Sequence, residues 1–154
     1  MNSMVISRSR LIFSPAAFEG VHLILHAGDV GGQAVLDALT AIGPVEAVYG
    51  NVDDPYDPLL ARERVVTVGG VTIHVSHGHE LGRPTQELAL ARYRGDVVVF
   101  GHTHRSLVVR DGDRIGMNPG AAGPRRFGLA ASVARLTIAR GEPPQVDVEI
   151  ISLA

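Results

Sequence analysis

The chain has 154 residues, of which 45% are hydrophobic and 19% charged, and its formal net charge is −2. This composition excludes a disordered chain, and the charge gives no field that would attract nucleic acid or an anionic membrane. No apolar run approaches the roughly 20 residues that span a bilayer, no secretory signal pattern opens the chain, and the absence of cysteine excludes disulfides and thiolate ligands. We therefore expect one domain over residues 1–154, located in the cytoplasm.

Short apolar runs alternate with helical stretches in the first two thirds of the chain, and strands dominate the rest. Gly and Pro residues separate most of these segments. The predicted elements are a strand in VISRSR (5–10), a strand in VHLILHAGD (21–29), a helix in GGQAVLDALTAIGP (31–44), a strand in VEAVYGN (45–51), a hairpin in RVVTVGGVTIHVSHGH (64–79), a helix in PTQELALARY (84–93), a strand in DVVVFGHTH (96–104), a hairpin in SLVVRDGDRIGMNPG (106–120) and a hairpin in ASVARLTIARGEPPQVDVEII (131–151). The pattern predicts an α/β fold with a mixed sheet, or two packed sheets, flanked by helices.

Polar side chains follow several of the predicted strands. They are Asp29, Asn51, His77, His102 and His104. Each of them alone is more typical of a turn, a cap or a structural histidine than of a ligand. Together they form a mixed oxygen and nitrogen set that suits Zn, Mn or Fe, and ligands collect at the carboxyl ends of strands in open α/β sheets. The sequence therefore predicts a metal site at these strand ends.

The order GD, GN, H, GHTH resembles the calcineurin-like metallophosphoesterase superfamily, and more narrowly its small YfcE-type phosphodiesterases. The stretches that carry the resemblance are LILHAGDVG, VYGNVD, HVSHGHE, VVVFGHTHR and MNPGAAGPRR. The resemblance implies a four-layer α/β/β/α sandwich, with two packed mixed sheets flanked by helices. It also implies a hydrolase in which a metal-activated water attacks phosphorus.

The resemblance further implies a role for each polar residue. In the family two ions share a bridging aspartate, which matches Asp29. One ion also takes an asparagine and two histidines, matching Asn51, His77 and His102. The other takes the last histidine of GHTH, matching His104, together with the Asp and His of an N-terminal D-x-H motif.

Arg8 and Arg10 stand where the D-x-H motif is expected, and this is the main departure from the family pattern. Arginine only donates hydrogen bonds and stays protonated, so it cannot ligate a cation. One divalent ion (Mn, Zn, Fe or Ni) is expected, and a second is left open, with His104 catalytic or auxiliary. Arg8 and Arg10 either take a catalytic role by clamping a phosphate oxygen or mark a degraded site, and a mis-assigned start of the reading frame could also have altered them.

Other polar residues have weaker assignments. Asp53 either supports the site or caps its own loop, and His79 either faces the site or caps a turn. We expect Asn118 to shape a loop beside the pocket and His74 to occupy a surface or pleat position. Val52 stands where larger relatives place a histidine that protonates the leaving group, so substrates with good leaving groups, or protonation by water, are favoured.

Two functions of different classes remain open. The first is a metal-dependent phosphodiesterase acting on a small phosphodiester or nucleotide-like substrate. The alternative is a catalytically weak or inactive scaffold on the same fold, for which the phosphoesterase-fold subunit of the retromer complex is a precedent. Stable nucleic-acid binding and membrane association are not expected, and the apolar closing hairpin leaves a homo-oligomer possible.

Overall fold

The computed structural model describes residues 2–7, 15–122 and 128–153. Within these residues the chain forms two five-stranded sheets, two α-helices and two short 3-10 helices. The strands are β1 (Asn2–Ser7), β2 (Leu23–His26), β3 (Val45–Ala47), β4 (Glu63–Val68), β5 (Val71–Ser76), β6 (Val97–Val99), β7 (Leu107–Asp111), β8 (Arg114–Asn118), β9 (Ser132–Ala139) and β10 (Gln145–Ser152). The helices are α1 (Gln33–Thr40) and α2 (Gln86–Arg92), and the 3-10 helices are Pro15–Phe18 and His79–Leu81.

Both sheets are mixed, and each contains three adjacent parallel strands. The first sheet has the order β10-β9-β1-β2-β3, with β1, β2 and β3 parallel and β9 and β10 antiparallel to their neighbours. The second has the order β4-β5-β6-β8-β7, with β5, β6 and β8 parallel and β4 and β7 antiparallel at its edges. Because parallel strands end at the same edge of a sheet, the segments after β2 and β3, and those after β5 and β6, are brought together in pairs.

The alternation of side chains along the strands explains the layers. On β6, Val97 and Val99 belong to a core that includes residues of both sheets, whereas Val98 packs with Leu90 of α2. On β2, Leu25 belongs to the shared core, whereas Ile24 packs with Leu39 of α1 on the opposite face. Since successive strand residues point to opposite faces, each sheet has one face against the other sheet and one against a helix. The predicted α/β/β/α sandwich is confirmed.

Local sequence accounts for the ends of several elements. The β4–β5 hairpin turns at Gly69 and Gly70, both of which have positive φ, within the hairpin that the sequence predicted over residues 64–79. Helix α2 begins after Thr85, whose Oγ1 accepts a hydrogen bond from the backbone N–H of Leu88 at 3.2 Å. Of the helices described, none is long and apolar enough to cross a bilayer.

Candidate metal centre

Four of the predicted ligands lie together where the two sheets meet. Asp29 and Asn51 follow β2 and β3 of the first sheet, and His77 and His102 follow β5 and β6 of the second. The Nε2 atom of His77 lies 3.0 Å from Oδ1 of Asn51, 3.4 Å from Oδ2 of Asp29 and 3.3 Å from Nδ1 of His102. The same Nδ1 of His102 is 3.2 Å from the Asn51 oxygen. Four potential donor atoms therefore converge on one small volume.

The hydrogen bonding of His77 fixes which of its ring nitrogens faces this volume. Its Nδ1 lies 2.8 Å from the carbonyl oxygen of Ala27. A carbonyl can only accept, so Nδ1 carries the hydrogen, and in the neutral ring Nε2 presents a lone pair. Metal-ligating histidines are commonly oriented by such a bond from their other nitrogen. His77 is 1% exposed, so this orientation is held inside the protein.

The spacing of the donor atoms suits a divalent ion. With metal–ligand distances of about 2.0–2.2 Å, neighbouring ligands of a tetrahedral or octahedral ion lie roughly 3.0–3.5 Å apart. Lone pairs that face one another at such distances repel. A cation placed between them attracts each of them and so offsets the repulsion. Within the described residues no three or more His, Cys, Asp or Glu side chains form a group that could hold a metal by themselves, so this candidate centre depends on the Asn51 amide as a ligand.

Backbone strain is concentrated at the predicted site residues. Asp29, His102 and His104 have φ values of 54°, 69° and 63°, and among the described residues they are the non-glycine positions with positive φ. Such conformations cost on the order of 1–3 kcal/mol each and persist where the surrounding structure enforces them, which is common at functional sites. Strain at three of the five predicted ligands therefore supports a functional centre in these loops.

Two glycines leave room for the candidate ligands. A Cβ atom on Gly50 would lie 2.1 Å from Oδ1 of Asp29, and one on Gly28 would lie 2.6 Å from Nδ1 of His77. Gly28 also has a φ of 95°, a conformation that side chains rarely adopt. The glycines of the GD and GN motifs thus allow the two loops and His77 to approach one another.

Asp53 joins the loop of Asp29 to the loop of Asn51. Its carboxylate accepts hydrogen bonds from the backbone N–H groups of Val30 at 2.9 Å, Gly31 at 3.1 Å and Gly50 at 2.8 Å. The sequence left its role open between supporting the site and capping its own loop. Because two of its three bonds reach across to the other loop, it supports the site.

Asn118 braces the loop that carries His102 and His104. It is fully buried, and its Nδ2 donates to the carbonyl of Gly101 and to Oγ1 of Thr103, both at 3.1 Å. Its Oδ1 accepts from the N–H of Gly120 at 3.0 Å. Asn118 was expected to shape a loop, and it does so by connecting the end of β8 to the GHTH loop.

Comparison with models of protein families identifies the family of this chain. The model of the calcineurin-like phosphoesterase superfamily domain matches residues 9–141. The chain belongs to this superfamily. Its resemblance to the YfcE-type branch is supported by two relatives. A probable metallophosphoesterase of Methanothermobacter thermautotrophicus is 36% identical over 88% of this chain and 78% of its own. Phosphodiesterase YfcE of Escherichia coli K12 is 32% identical over 60% of this chain, and the match spans about half (52%) of its length.

Several solved structures share the fold over nearly the whole chain. Vps29 from Entamoeba histolytica, solved in complex with Zn²⁺, superposes with a TM-score of 0.76 at 20% identity, covering 97% of this chain and 98% of its own. A structure described as a novel archaeal phosphodiesterase superposes with a TM-score of 0.73 at 20% identity, covering 97% and 99%. At this identity the likeness establishes the fold alone.

The residues expected at a second metal site are Arg8, Arg10 and His104. Arg8 and Arg10 lie outside the described residues, so their roles stay predictions. His104 follows His102 by two positions in the same strained loop, and its Nδ1 is buried. The contacts that bring the other four residues together do not include His104, and its part in binding or catalysis also stays a prediction.

A polar network beside His77 was missed by the sequence reasoning. The carboxylate of Glu80 accepts hydrogen bonds from the hydroxyl of Tyr93 and the guanidinium of Arg62, and Ser76 donates to the Tyr93 oxygen at 3.1 Å. These bonds hold the pKa of Glu80 below its ordinary value. Burial, followed by the bond to Glu80, raises the pKa of Tyr93 to about 12. Because Glu80 belongs to the 3-10 helix after His77, the network anchors that helix.

Two further histidines adjoin this network. The ring of His79 lies 5.3 Å from that of His77, so of its two expected roles the structure favours proximity to the site. Of the two positions expected for His74, it occupies a pleat position on β5 and is buried. Its ring stacks on Tyr93 at 4.5 Å, and its Nε2 lies 3.3 Å from a carboxylate oxygen of Glu63. Burial lowers the pKa of His74, although Glu63 opposes that shift. No local pattern distinguishes such a histidine from an exposed one, because both follow the alternation of a strand.

Proposed function

We propose that the chain is a metal-dependent phosphodiesterase that holds one divalent transition ion through Asp29, Asn51, His77 and His102. The observation that carries the proposal is the convergence of their donor atoms within 3.0–3.4 Å of the His77 Nε2 or of one another. Membership of the phosphoesterase superfamily and the names of the two relatives support the reaction class. The proposed substrate is a small phosphodiester or a nucleotide-like compound.

The chemistry requires a Lewis acid and a rigid frame. A divalent ion, when bound, lowers the pKa of the water that attacks phosphorus and offsets charge that develops on the phosphate. The protein supplies the frame: the carbonyl of Ala27 orients His77, Asp53 holds two ligand loops together, and Asn118 holds the loop of His102. Such preorganisation reduces the reorganisation needed at the moment of reaction.

The residue after Asn51 does not protonate the leaving group. Val52 is 69% exposed and apolar, so it cannot donate a proton. We therefore propose that substrates with good leaving groups are preferred, or that water protonates the departing oxygen. An activated aryl ester is therefore a suitable first substrate.

The second ion site is proposed to be impaired. Two positive charges in place of an aspartate and a histidine disfavour a second cation, and His104 is left with an auxiliary part. Arg8 or Arg10 is proposed to clamp a phosphate oxygen, as arginine does in many phosphate sites. Replacing Arg8→Asp and Arg10→His together tests this: a large gain in metal-dependent turnover indicates a lost ion, and a loss of turnover indicates a clamp.

The ion itself is proposed to be Mn, Zn, Fe or Ni, and the location cytoplasmic. The donor set of one carboxylate, one amide oxygen and two imidazoles suits this group of ions rather than Ca²⁺. The Zn²⁺ complex of the related Vps29 fold is consistent with it. Metal content after purification from media supplemented with each ion distinguishes among them.

The deciding experiment is hydrolysis of bis-p-nitrophenyl phosphate across a Mn²⁺ titration. We expect saturable turnover in the wild type and none above background in His77→Ala. Because His77 is buried, Asn51→Ala at an exposed position serves as a second variant that is less able to disturb folding. His22→Ala, at an exposed position before β2, is the matched control and should retain wild-type rates. Equal Mn²⁺ affinity in wild type and Asn51→Ala would rule out the proposed ligand set.

The second candidate is a non-catalytic interaction module. The observation that favours it is the superposition on Vps29 over 97% of the chain, together with the two arginines at the D-x-H position. Folded, Mn²⁺-saturated protein that hydrolyses neither aryl nor nucleotide diesters above the His77→Ala background would favour this candidate over the enzyme.

A further inference from the structure

A cavity of about 300 Å³ lies beside the candidate centre. One wall is formed by the residues that follow Asp29, namely 30–32, and the facing wall by those that follow Asn51, namely 52–54. The cavity is therefore lined in part by the same two loops that present two of the proposed ligands, and the backbone N–H of Val52 in its wall lies 3.3 Å from Oδ1 of Asp29. Its volume is at the lower end of the range for small-molecule sites, roughly 300–1,000 Å³.

The cavity has an apolar floor and an acidic wall. Val30, Leu36 and Leu60 are buried beneath it, at 1%, 6% and 9% exposure. Asp54 and Asp57 lie in the wall, and each uses its Oδ1 to accept a local backbone hydrogen bond at 2.9 Å. The lining, as far as the described residues show it, contains no lysine, arginine or histidine.

We propose that this cavity binds one alcohol group of the phosphodiester substrate, and that it selects a cationic or neutral alcohol over an anionic one. The proposal rests on the phosphodiesterase function above, because the phosphate must lie at the metal centre for its ester group to reach the cavity. It adds a substrate class: phosphodiesters of uncharged or amino alcohols.

The net charge around the cavity decides whether a cationic or an anionic alcohol group binds better. Helix α1 begins at Gln33, directly after the lining residue Gly32, and its N-terminus contributes an effective charge of about +0.5. Asp54 and Asp57 each add one formal negative charge to the lining. Asp53 also lines the cavity, but its carboxylate is occupied by three backbone N–H groups. The acidic wall therefore outweighs the helix terminus.

The walls are held in place before any ligand binds. Arg64 donates from Nε to the carbonyl of Ala47 at 2.9 Å and from Nη2 to the carbonyl of Leu59 at 3.2 Å. The N–H of Leu60 also donates to the carbonyl of Asp57 at 3.1 Å. Since the loop after Asn51 is fixed by these bonds and by Asp53, little ordering entropy is lost on binding.

The test compares two p-nitrophenyl phosphodiesters that share a leaving group, one of choline and one of glycolate. We expect wild-type protein with Mn²⁺ to have the higher kcat/KM for the choline ester. A unit charge about 6 Å away changes binding roughly threefold in a water-like dielectric, and in opposite directions for the two esters. Asp54→Asn combined with Asp57→Asn should therefore reduce the preference at least tenfold at low salt. Asparagine can keep the local turn bonds.

Asp147→Asn on the exposed edge strand β10 removes one charge far from the cavity and serves as the matched control. An unchanged preference in the double variant, or a wild-type preference for the glycolate ester, overturns the proposal while leaving the phosphodiesterase function intact. If neither ester is hydrolysed, the phosphodiesterase function fails, and the cavity is tested by titrating the choline ester into ¹⁵N-labelled, Zn²⁺-loaded protein. Amide shifts at residues 30–32 and 52–54 that disappear in the double variant support the proposal, and their absence in the wild type overturns it.

Discussion

Asp53 is the clearest place to test how the two ligand loops are held together. Replacing Asp53 with alanine removes three hydrogen bonds to a carboxylate, of which those from Val30 and Gly50 are partly buried and that from Gly31 is exposed. Bonds to a charged acceptor contribute roughly 1.5–3 kcal/mol each. Using the lower limit for the two partly buried bonds and nothing for the exposed one, Asp53→Ala should lower the free energy of unfolding by about 3 kcal/mol.

The isosteric change Asp53→Asn separates charge from shape. Its amide oxygen can still accept from Val30 and Gly50, but its NH₂ group faces the N–H of Gly31. We expect about half the loss seen for alanine, on the order of 1.5 kcal/mol, because charge-assisted bonds are roughly twice as strong as neutral ones. Urea unfolding at pH 7 measures both losses of stability. In the alanine variant, Mn²⁺ affinity should also weaken at least about tenfold, as is common when a residue that orients metal ligands is removed.

Asp54→Ala is the matched control for this series. Its carboxylate accepts from the N–H of Tyr56 at 2.9 Å, and this bond is exposed and local, so the loss should stay within about 0.5 kcal/mol. If Asp53→Ala and Asp54→Ala lower the stability equally, or if both leave Mn²⁺ affinity unchanged, the bridging role assigned to Asp53 is wrong.

Three further predictions concern the same region. Gly50→Ala should abolish tight Mn²⁺ binding, measured by equilibrium titration, because the added Cβ would meet Asp29 Oδ1 at 2.1 Å; wild-type affinity would contradict this. Asn118→Ala should cost about 2–3 kcal/mol in urea unfolding, since it leaves buried polar groups unpaired. His74→Phe keeps a ring against Tyr93 but removes the titrating group. Because the folded-state pKa of His74 is lowered, its stabilising contribution is present above the unfolded pKa of about 6.5 and is lost as the pH falls through the folded value. The variant should therefore lose less stability than the wild type between pH 7 and pH 5. Urea unfolding at both pH values measures this, and an equal loss of unfolding free energy in the two proteins would refute the assignment.

Much of the fold could be predicted from the sequence because its signals are local. Glycine pairs mark the hairpin at Gly69, the apolar run before His102 marks a strand buried on both faces, and the spacing of Val35, Leu36 and Leu39 marks helix α1. The grouping of polar residues at strand ends follows from the rule that parallel strands end at one edge. Each of these inferences needs only neighbouring residues and a general property of sheets.

The rest depended on contacts between distant parts of the chain. The bonds of Asp53 to Val30 and Gly31 span more than twenty residues, and nothing in the sequence distinguishes them from the local cap that an aspartate usually forms. The burial of His74 depends on Tyr93, which follows α2 and stacks on its ring. Likewise, the positive φ of His102 is imposed by the loop that Asn118 holds, since histidine itself does not require it.

The four proposed ligands come from both halves of the sandwich: Asp29 and Asn51 follow strands of one sheet, and His77 and His102 follow strands of the other. An ion held by all four would act as a cross-link between the sheets, and its binding energy would add to the stability of the fold. Such an ion would contribute to stability whether or not the protein is a catalyst. Stability in the presence of metal would therefore report on binding at these residues, and only turnover would report on catalysis.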